Sequence, residues 1–551
     1  MPLRTPLCIF ASLVLAMSGA VGTPTQAGSS RITVLRGRLE RNVTLKPTRT
    51  NVIDGIVVVA SGTTLRLRPG TTVLAGSGST LVIERGAKLI ADGTPELPVV
   101  FTSAQPEAQR RRGDWGGIVI NGAAPVDDSG LVTEPEDGTG MFGGSDHADS
   151  SGVLRSVRVE YAGFPTFGPD RLAGITLRGV GSGTIVDRVQ AVNGDGDGIA
   201  VVGGAVNMTR IAAVGCSGNG LVTTSGWAGA AQFVLSLVRG DLPDHAGAGI
   251  DLRDCNATIA NATIVGGGAG LRFSGVSGRV FNLISARCHG SGIESRDAAT
   301  TAAITSGEVT IDGVMLYDNG AGENVDDSLR RALETVGATV LEVDPGLVNG
   351  FDEVAPNLRP RSGSPAVSDA FRAPVDPALE PANFAGAFDS GVEPAWTDGW
   401  ASFRIPPVPR YLAHAAESPE ALSRDFLAAL AVSDIPALKR ARITKDEFTW
   451  HVWPELPASR LPNVTSDFAW SQATLNSLSG LGGLLNQYSG RRFEFVGIRF
   501  AGGAKDHASY RVHYDSRLTV RDESGREFEV KLFGSMLEMD GRYKLFSHVI
   551  D

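Results

Sequence analysis

Between residues 63 and 94 the apolar and polar positions recur with a period of eight: TTLRLRPG, TTVLAGSG, STLVIERG, AKLIADGT. Each unit is a short alternating or apolar stretch closed by a glycine, which reads as a strand followed by a turn. From residue 174 a longer period takes over, in which a glycine precedes an aliphatic residue: Gly174-Ile175, Gly198-Ile199, Gly220-Leu221, Gly249-Ile250, Gly270-Leu271 and Gly292-Ile293. The intervals are 24, 22, 29, 21 and 22 residues, and three units of eight make 24, so the two periods describe one object. A coil of three short strands and three turns, repeated along the chain, predicts a parallel β-helix whose coils bury their apolar faces against one another. The 29-residue interval predicts an inserted loop, in Ser225–Ala231 or Asp241–Ala246.

Past the repeats the pattern changes. Glu323–Val336 has helical spacing and an acidic first turn, which predicts one short helix on the solenoid. Residues 356–409 hold ten prolines and read as an extended covering segment, with Trp396 and Trp400 to pin it down. Beyond it, Ser418–Val432 and Ile435–Arg442 read as amphipathic helices, and Thr465–Tyr488 as a third helical region weakened by Gly480, Gly482 and Gly483. Four strands follow, Arg492–Phe500, Ala508–Val520, Glu527–Leu537 and Tyr543–Val549, with hairpin-like connections at 522–525 and 539–541. The expected fold is mainly β, a solenoid followed by a smaller α+β domain.

The first residues read as an address rather than as structure. Arg4, an apolar run from Leu7 to Val21 and the small-residue ending Thr25-Gln26-Ala27 have the form of a secretory signal peptide. The mature chain is then expected to be secreted or held in the cell envelope (periplasm or outer surface), without a transmembrane anchor. The predicted organisation is a signal peptide over 1–27, the β-helix over 28–355, a proline-rich covering segment and linker over 356–410, and the α+β domain over 411–551. Glycine, at 69 of 551 residues, is well above its usual share of about 7%, as a chain of turns requires. Fifty basic against sixty acidic residues argue against a nucleic-acid partner. The mature chain keeps three cysteines, Cys216, Cys255 and Cys288. Cys216 and Cys288 each precede a repeat glycine by four residues and so sit three coils apart, roughly 14 Å at about 4.8 Å per coil, beyond disulfide reach. They are expected to be buried free thiols.

Several stretches carry a resemblance. Val82–Asp92, Pro98–Ala104, GDWGGIVINGAAP at Gly113–Pro125, Phe142–Tyr161, Gly179–Val186, Gly363–Ala366 and Gly386–Phe403 resemble a family of exported bacterial proteins with right-handed parallel β-helix repeats. The resemblance covers residues 50–404 and implies a fold and an exported location; it brings no catalytic residue. The C-terminal helices and closing strands resemble the NTF2-like (SnoaL-like) cone fold, with a cystatin-like sheet-and-helix domain as the alternative.

Candidate chemistry is spread thinly. The stretch from Asp114 to Ser151 holds eight carboxylates, Asp114, Asp127, Asp128, Glu134, Glu136, Asp137, Asp146 and Asp149. Asn193-Gly194-Asp195-Gly196-Asp197-Gly198 offers Asp195 and Asp197 as hard oxygen ligands for Ca²⁺, with Asp146, Asp149 and Glu160 as secondary candidates; ordinary turn chemistry is the alternative. GDGDGI and CHGSGI are similar to motifs of polygalacturonase-type glycoside hydrolases, which makes Asp195, Asp197 and His289 the catalytic candidates. A polysaccharide lyase would need a base, for which Arg210, Arg239 and Arg253 are available. Trp115 could stack on a sugar or cover a coil. In the C-terminal domain Trp450, His451, Trp453, Trp470, Tyr488, His513 and Tyr514 could line a cone, with His513 and Asp515 on one strand face; core packing is the competing reading. The leading function is a non-enzymatic binding or surface-interaction module for a polysaccharide, a cell-surface component or a protein. A carbohydrate-active enzyme (glycoside hydrolase or polysaccharide lyase) and a structural envelope spacer are the alternatives.

Overall fold

The structure is a computed structural model that describes residues 32–548 apart from 127–131, 134–137, 168–170, 239–241, 243–246, 321–323, 353–354, 373, 392–393, 405–411, 413, 457, 459–465 and 508–509. The segment 1–27 expected to be a signal peptide, five carboxylates of the acidic loop (Asp127, Asp128, Glu134, Glu136 and Asp137) and Arg239 lie outside the described residues.

The eight-residue rhythm forms strands Thr64–Leu67, Thr72–Ala75, Thr80–Ile83 and Lys88–Asp92. Thr64–Leu67 pairs in parallel with Lys88–Asp92, Leu65 opposite Leu89, one coil later. From there the solenoid has two recurring parts. One is a short-strand face: Gly117–Asn121, Ile175–Arg178, Ile199–Val202, Leu221–Thr224, Ala248–Arg253, Ala269–Ser274 and Ile293–Ser295, each paired in parallel with the next. The other is a side of longer strands, from Gly152–Glu160 through Ile185–Val192, Met208–Val214, Ala230–Leu237, Thr258–Val265 and Arg279–Ala286 to Thr310–Tyr317. Each long strand is two strands joined at one left-handed residue: Ser156, Arg188, Arg210, Phe233, Asn261, Asn282 and Gly313 all have φ between 47° and 71°. That bend is the third corner of the coil. The inserted residues lie between Leu237 and Ile250, because Met208 still opposes Ala231 whereas Leu221 opposes Ile250; this selects the second of the two predicted positions.

Glycine serves two physical purposes in the coils. In the early rhythm Gly62 and Gly70 occupy left-handed turns, with φ of 77° and 76°. In the later repeat the glycine faces inward with no room for a side chain: a Cβ on Gly270 would sit 2.0 Å from Ser285 Oγ and 2.2 Å from the Gly292 carbonyl oxygen. The core of the solenoid runs unbroken from Leu35 to Leu333 and includes Phe101, Trp115, Trp227 and Phe273. Cys216, Cys255 and Cys288 are buried and in no disulfide among the described residues, and burial pushes the Cys288 thiol up to about 12. The predicted helix forms as Asp327–Thr335 with Asp326 as its cap, and an additional helix, Ala298–Ser306, precedes it. Ile304, Leu329 and Leu333 from this pair join the solenoid core.

The proline-rich stretch is a strap along the bent side. Phe371, Ala385, Ala387 and Phe388 form a second apolar cluster with Val214, Leu235, Val265 and Ile284. Two glutamines clasp it. The Gln190 amide donates to the Ser402 carbonyl at 2.8 Å and accepts from the Ser402 N–H at 2.7 Å; Gln232 does the same with Glu380 at 2.9 and 2.7 Å. Each side-chain amide imitates a neighbouring strand. Trp400 is fully buried, as expected of a pin, and Trp396 is half-buried.

The C-terminal part has its own cores. Helix Pro419–Ala431 starts at Ser418, whose hydroxyl accepts from Ala421 N–H, and Ile435–Arg440 follows. Ser466–Tyr488 is one continuous helix despite its glycines, held by Leu481 and Leu484 in the core. The strands differ from expectation. The predicted strand over 508–520 is two, Arg511–His513 and Ser516–Arg521, parted at Asp515 with φ 52°, and they enter different sheets. The predicted strand over 527–537 likewise divides into Glu527–Val530 and Met536–Met539. Among the described residues the strands here pair antiparallel, in sheets of three and four strands, and Arg442 adds an isolated parallel bridge to Leu545.

Candidate functional site

The two turn aspartates are already committed within the protein. Asp195 accepts from Ser217 Oγ at 2.9 Å and pairs with Arg171 at 3.0 Å. Asp197 accepts from both the backbone and side-chain nitrogens of Asn219, at 2.6 and 2.9 Å. Both therefore act as rungs between coils. Among the described residues no three His, Cys, Asp or Glu groups come together to hold a metal, so this donor set does not fit Ca²⁺, which takes six to eight oxygens. The secondary candidates do not converge on a site either: Asp149 accepts from Ser151 Oγ at 3.0 Å and Glu160 from Thr102 Oγ1 at 2.7 Å, while exposed Asp146 accepts from the Ala148 N–H at 3.1 Å within its own turn. His289 is exposed and follows strand Arg279–Ala286, which lies four coil steps from the strand before Asp195. Four steps of about 4.8 Å place it some 19 Å away, beyond the roughly 5–9.5 Å that paired catalytic groups of glycosidases need. The grouping of Asp195, Asp197 and His289 is not assembled.

Of the two roles open to Trp115, sugar platform or cover of a coil, its burial fits the second. Its ring is fully buried in the solenoid core and its indole N–H donates to the Glu160 carbonyl at 2.7 Å, so no face is open to a sugar. The adjacent Gly116 lets the core close, since a Cβ there would meet Thr80 Oγ1 at 1.9 Å. In the C-terminal part the Trp450 side chain lies outside the described residues. Trp453 and Trp470 both pack on Phe448, at 6.2 and 5.4 Å between rings, in a core cluster with Val452 and Tyr510. His513 does not partner Asp515: its Nε2 is 2.7 Å from Glu538, whereas Asp515 lies at the bend and pairs with Arg517 and Lys531, which hold its carboxyl low.

What the coils do bring together is a charged ladder on the short-strand face. The residue after each glycine–aliphatic pair points outward, and the register stacks Val222, Asp251, Arg272 and Glu294 in that order. Asp251 is 1% exposed; one of its oxygens accepts from Arg253 at 2.5 Å and lies 3.6 Å from Arg272, while Oδ1 is buried with no hydrogen-bond partner among the described residues. Arg272 in turn bonds Glu294, and Arg296 approaches the same carboxylate at 3.7 Å. Asp197 stands at the edge of this ladder. Burial pushes its carboxyl above the usual range; the bonds from Asn219 and the Arg253 charge oppose that, and Asp251 adds to it. Of these groups the sequence reading singled out Asp197 and Arg253. The signal for the others was available in Gly249-Ile250-Asp251, Gly270-Leu271-Arg272 and Gly292-Ile293-Glu294, where charge falls on one position in three successive coils.

Parallel coils stacked into one sheet-walled solenoid, with charged side chains ranked along a flat face, define a parallel β-helix protein. Residues 37–349, more than half of the chain, match the family described as "Pectate-lyase like beta helix domain", and the chain belongs to that family. No curated protein matches. Among solved structures the chain is similar to the enzymatically active domain of bacteriophage CBA120 tailspike protein 2, at 15% identity over 52% of this chain and 43% of that one, with a TM-score of 0.22. The chain thus spans under half of that structure's length. No helix among the described residues is long and apolar enough to cross a membrane.

Proposed function

We propose that this is an exported protein whose β-helix binds a polysaccharide along the short-strand face. The observation that carries the reading is the ladder of Asp251, Arg253, Arg272 and Glu294, built on one face of a solenoid of the pectate-lyase-like family. Arg253 and Arg296 have side chains 41% and 54% exposed and would contact the glycan. Buried Asp251 orients Arg253 and Arg272 from beneath. Guanidinium groups fixed this way present planar pairs of donors, which suit the hydroxyls and carboxylates of sugars. Export is supported by the apolar run Leu7–Val21 and its small-residue ending. An NTF2-like character of the C-terminal part is supported by helices preceding antiparallel strands.

One observation favours a second reading, a carbohydrate-active enzyme. Asp197, with its carboxyl raised by burial, stands within electrostatic range of Asp251. A carboxyl raised by burial beside a second carboxylate is one element of a general-acid site. A glycan array probed with the full chain, followed by reducing-end analysis of any retained glycan, tests both. Binding that falls about tenfold or more in Arg253→Ala, without new reducing ends, supports the binding module. New ends that disappear in Asp197→Asn support the enzyme. Retention of no glycan, or retention unchanged in Arg253→Ala, refutes the proposal.

A further inference from the structure

The strap does not lie flat on the solenoid. The left-handed corners stack Arg188, Arg210 and Phe233 outward in successive coils. The strap meets them at Glu380 and Phe384, turns at Gly386 and returns through Trp396, leaving a cavity of about 330 Å³ between the two passes. That volume falls at the lower end of small-ligand sites, about 300–1,000 Å³.

Its walls are of two kinds. Phe233 stacks on Phe384 with ring centroids 6.2 Å apart, and Phe388 on Trp396 at 5.3 Å; all four rings line the space. Among them stand polar groups with capacity to spare. Arg188 uses one nitrogen on Asp187 at 2.6 Å, out of the five N–H donors of a guanidinium. Asp389 accepts from Gly391 N–H at 3.0 Å through Oδ1, and its Oδ2 has no partner among the described residues. Arg210, by contrast, is consumed, held by both oxygens of Glu380 at 2.6 Å and by Asp187 at 3.0 Å. With Asp187 counted beside its two arginines, the acids Asp187, Glu380 and Asp389 balance Arg188, Arg210 and Arg359. A balanced site gives a phosphate or sulfate no advantage over water. Apolar ring faces beside one free donor and one free acceptor suit a molecule with a C–H face and a rim of hydroxyls.

We propose that this cavity under the strap binds one neutral glycosyl residue, at a site separate from the short-strand face. The inference does not rest on the proposed role of that face. The test is saturation-transfer NMR on the full chain with glucose, galactose, N-acetylglucosamine and galacturonate as separate probes, and inorganic phosphate, which carries no observable proton, as a competitor. Signal from at least one of the three neutral sugars is expected, weakened about tenfold in both Arg188→Ala and Asp389→Ala, and unchanged by added phosphate or in Arg521→Ala, at the exposed end of strand Ser516–Arg521. No signal from any neutral sugar, stronger signal from galacturonate, displacement of the sugar by phosphate, or binding retained in either cavity variant overturns the proposal. Loss in Arg253→Ala with both cavity variants intact also overturns it, while leaving the short-strand face as the sugar site.

Discussion

One substitution, glycine to alanine, should act in three different ways at three places in this chain, because three different physical terms are in play. At Gly270 the new Cβ would lie 2.0 Å from Ser285 Oγ and 2.2 Å from the Gly292 carbonyl oxygen. That oxygen accepts from Leu271 N–H at 3.0 Å, so it cannot retreat without stretching a bond between coils. Ser285 is fully buried and has no solvent to move into. Overpacking of this kind destabilises by about 1–3 kcal/mol, and the backbone obstacle puts Gly270→Ala at the upper end. Gly62 has open space around its Cβ position but φ of 77°, so alanine there meets backbone strain alone, about 1–2 kcal/mol. Gly482 lies exposed inside the helix Ser466–Tyr488 with nothing within 4 Å, and alanine should stabilise that part by about 0.5–1 kcal/mol. Urea unfolding followed by tryptophan fluorescence reads all three, provided the solenoid and C-terminal transitions are fitted separately. The midpoints should shift while the slopes stay constant. The reasoning is refuted if Gly270→Ala is as mild as Gly62→Ala, or if Gly482→Ala lowers the C-terminal midpoint.

Two further outcomes follow from buried polar groups. His548 sits among Phe426, Ser477 and the Leu438 carbonyl, and burial lowers its imidazole from 6.5 to about 4. Above pH 6.5 neither folded nor unfolded chain protonates it; between 6.5 and about 4 only the unfolded chain does. The C-terminal part should therefore lose about 3 kcal/mol as pH falls through that window, and His548→Leu should flatten the slope in pH-dependent unfolding while lowering stability at pH 7. Removing both clasps, Gln190→Ala with Gln232→Ala, deletes four hydrogen bonds to the strap. Proteolytic cutting within 376–404 should accelerate by about tenfold or more, with the solenoid strands left intact, and an unchanged rate would show that the apolar cluster alone holds the strap.

The sequence by itself determined the repeating architecture. A solenoid coil satisfies its geometry locally: eight residues make a strand and a turn, and the glycine period repeats because each coil meets the same neighbour in the same register. The helices Pro419–Ala431 and Ile435–Arg440 were legible for the same reason, since Ser418-Pro419 and Asp434 with Pro436 act within one turn of chain. Groups that depend on distant partners were not legible. Asp195 and Asp197 looked like a ligand pair until Ser217 and Asn219, a coil away, took their oxygens. Trp115 could stack on a sugar or cover a coil, and the coil around it, which buries its ring, decided for the second. The bend at Asp515, which sends neighbouring segments into different sheets, has no periodic signature. Only the tertiary structure decided that Asp251, Arg253, Arg272 and Glu294 form one ladder, and that a strap more than 140 residues away in sequence roofs a cavity over Arg188, Arg210 and Phe233. Period fixes which residues can face outward; which of them meet is set by the stacking of coils and by what is laid across them.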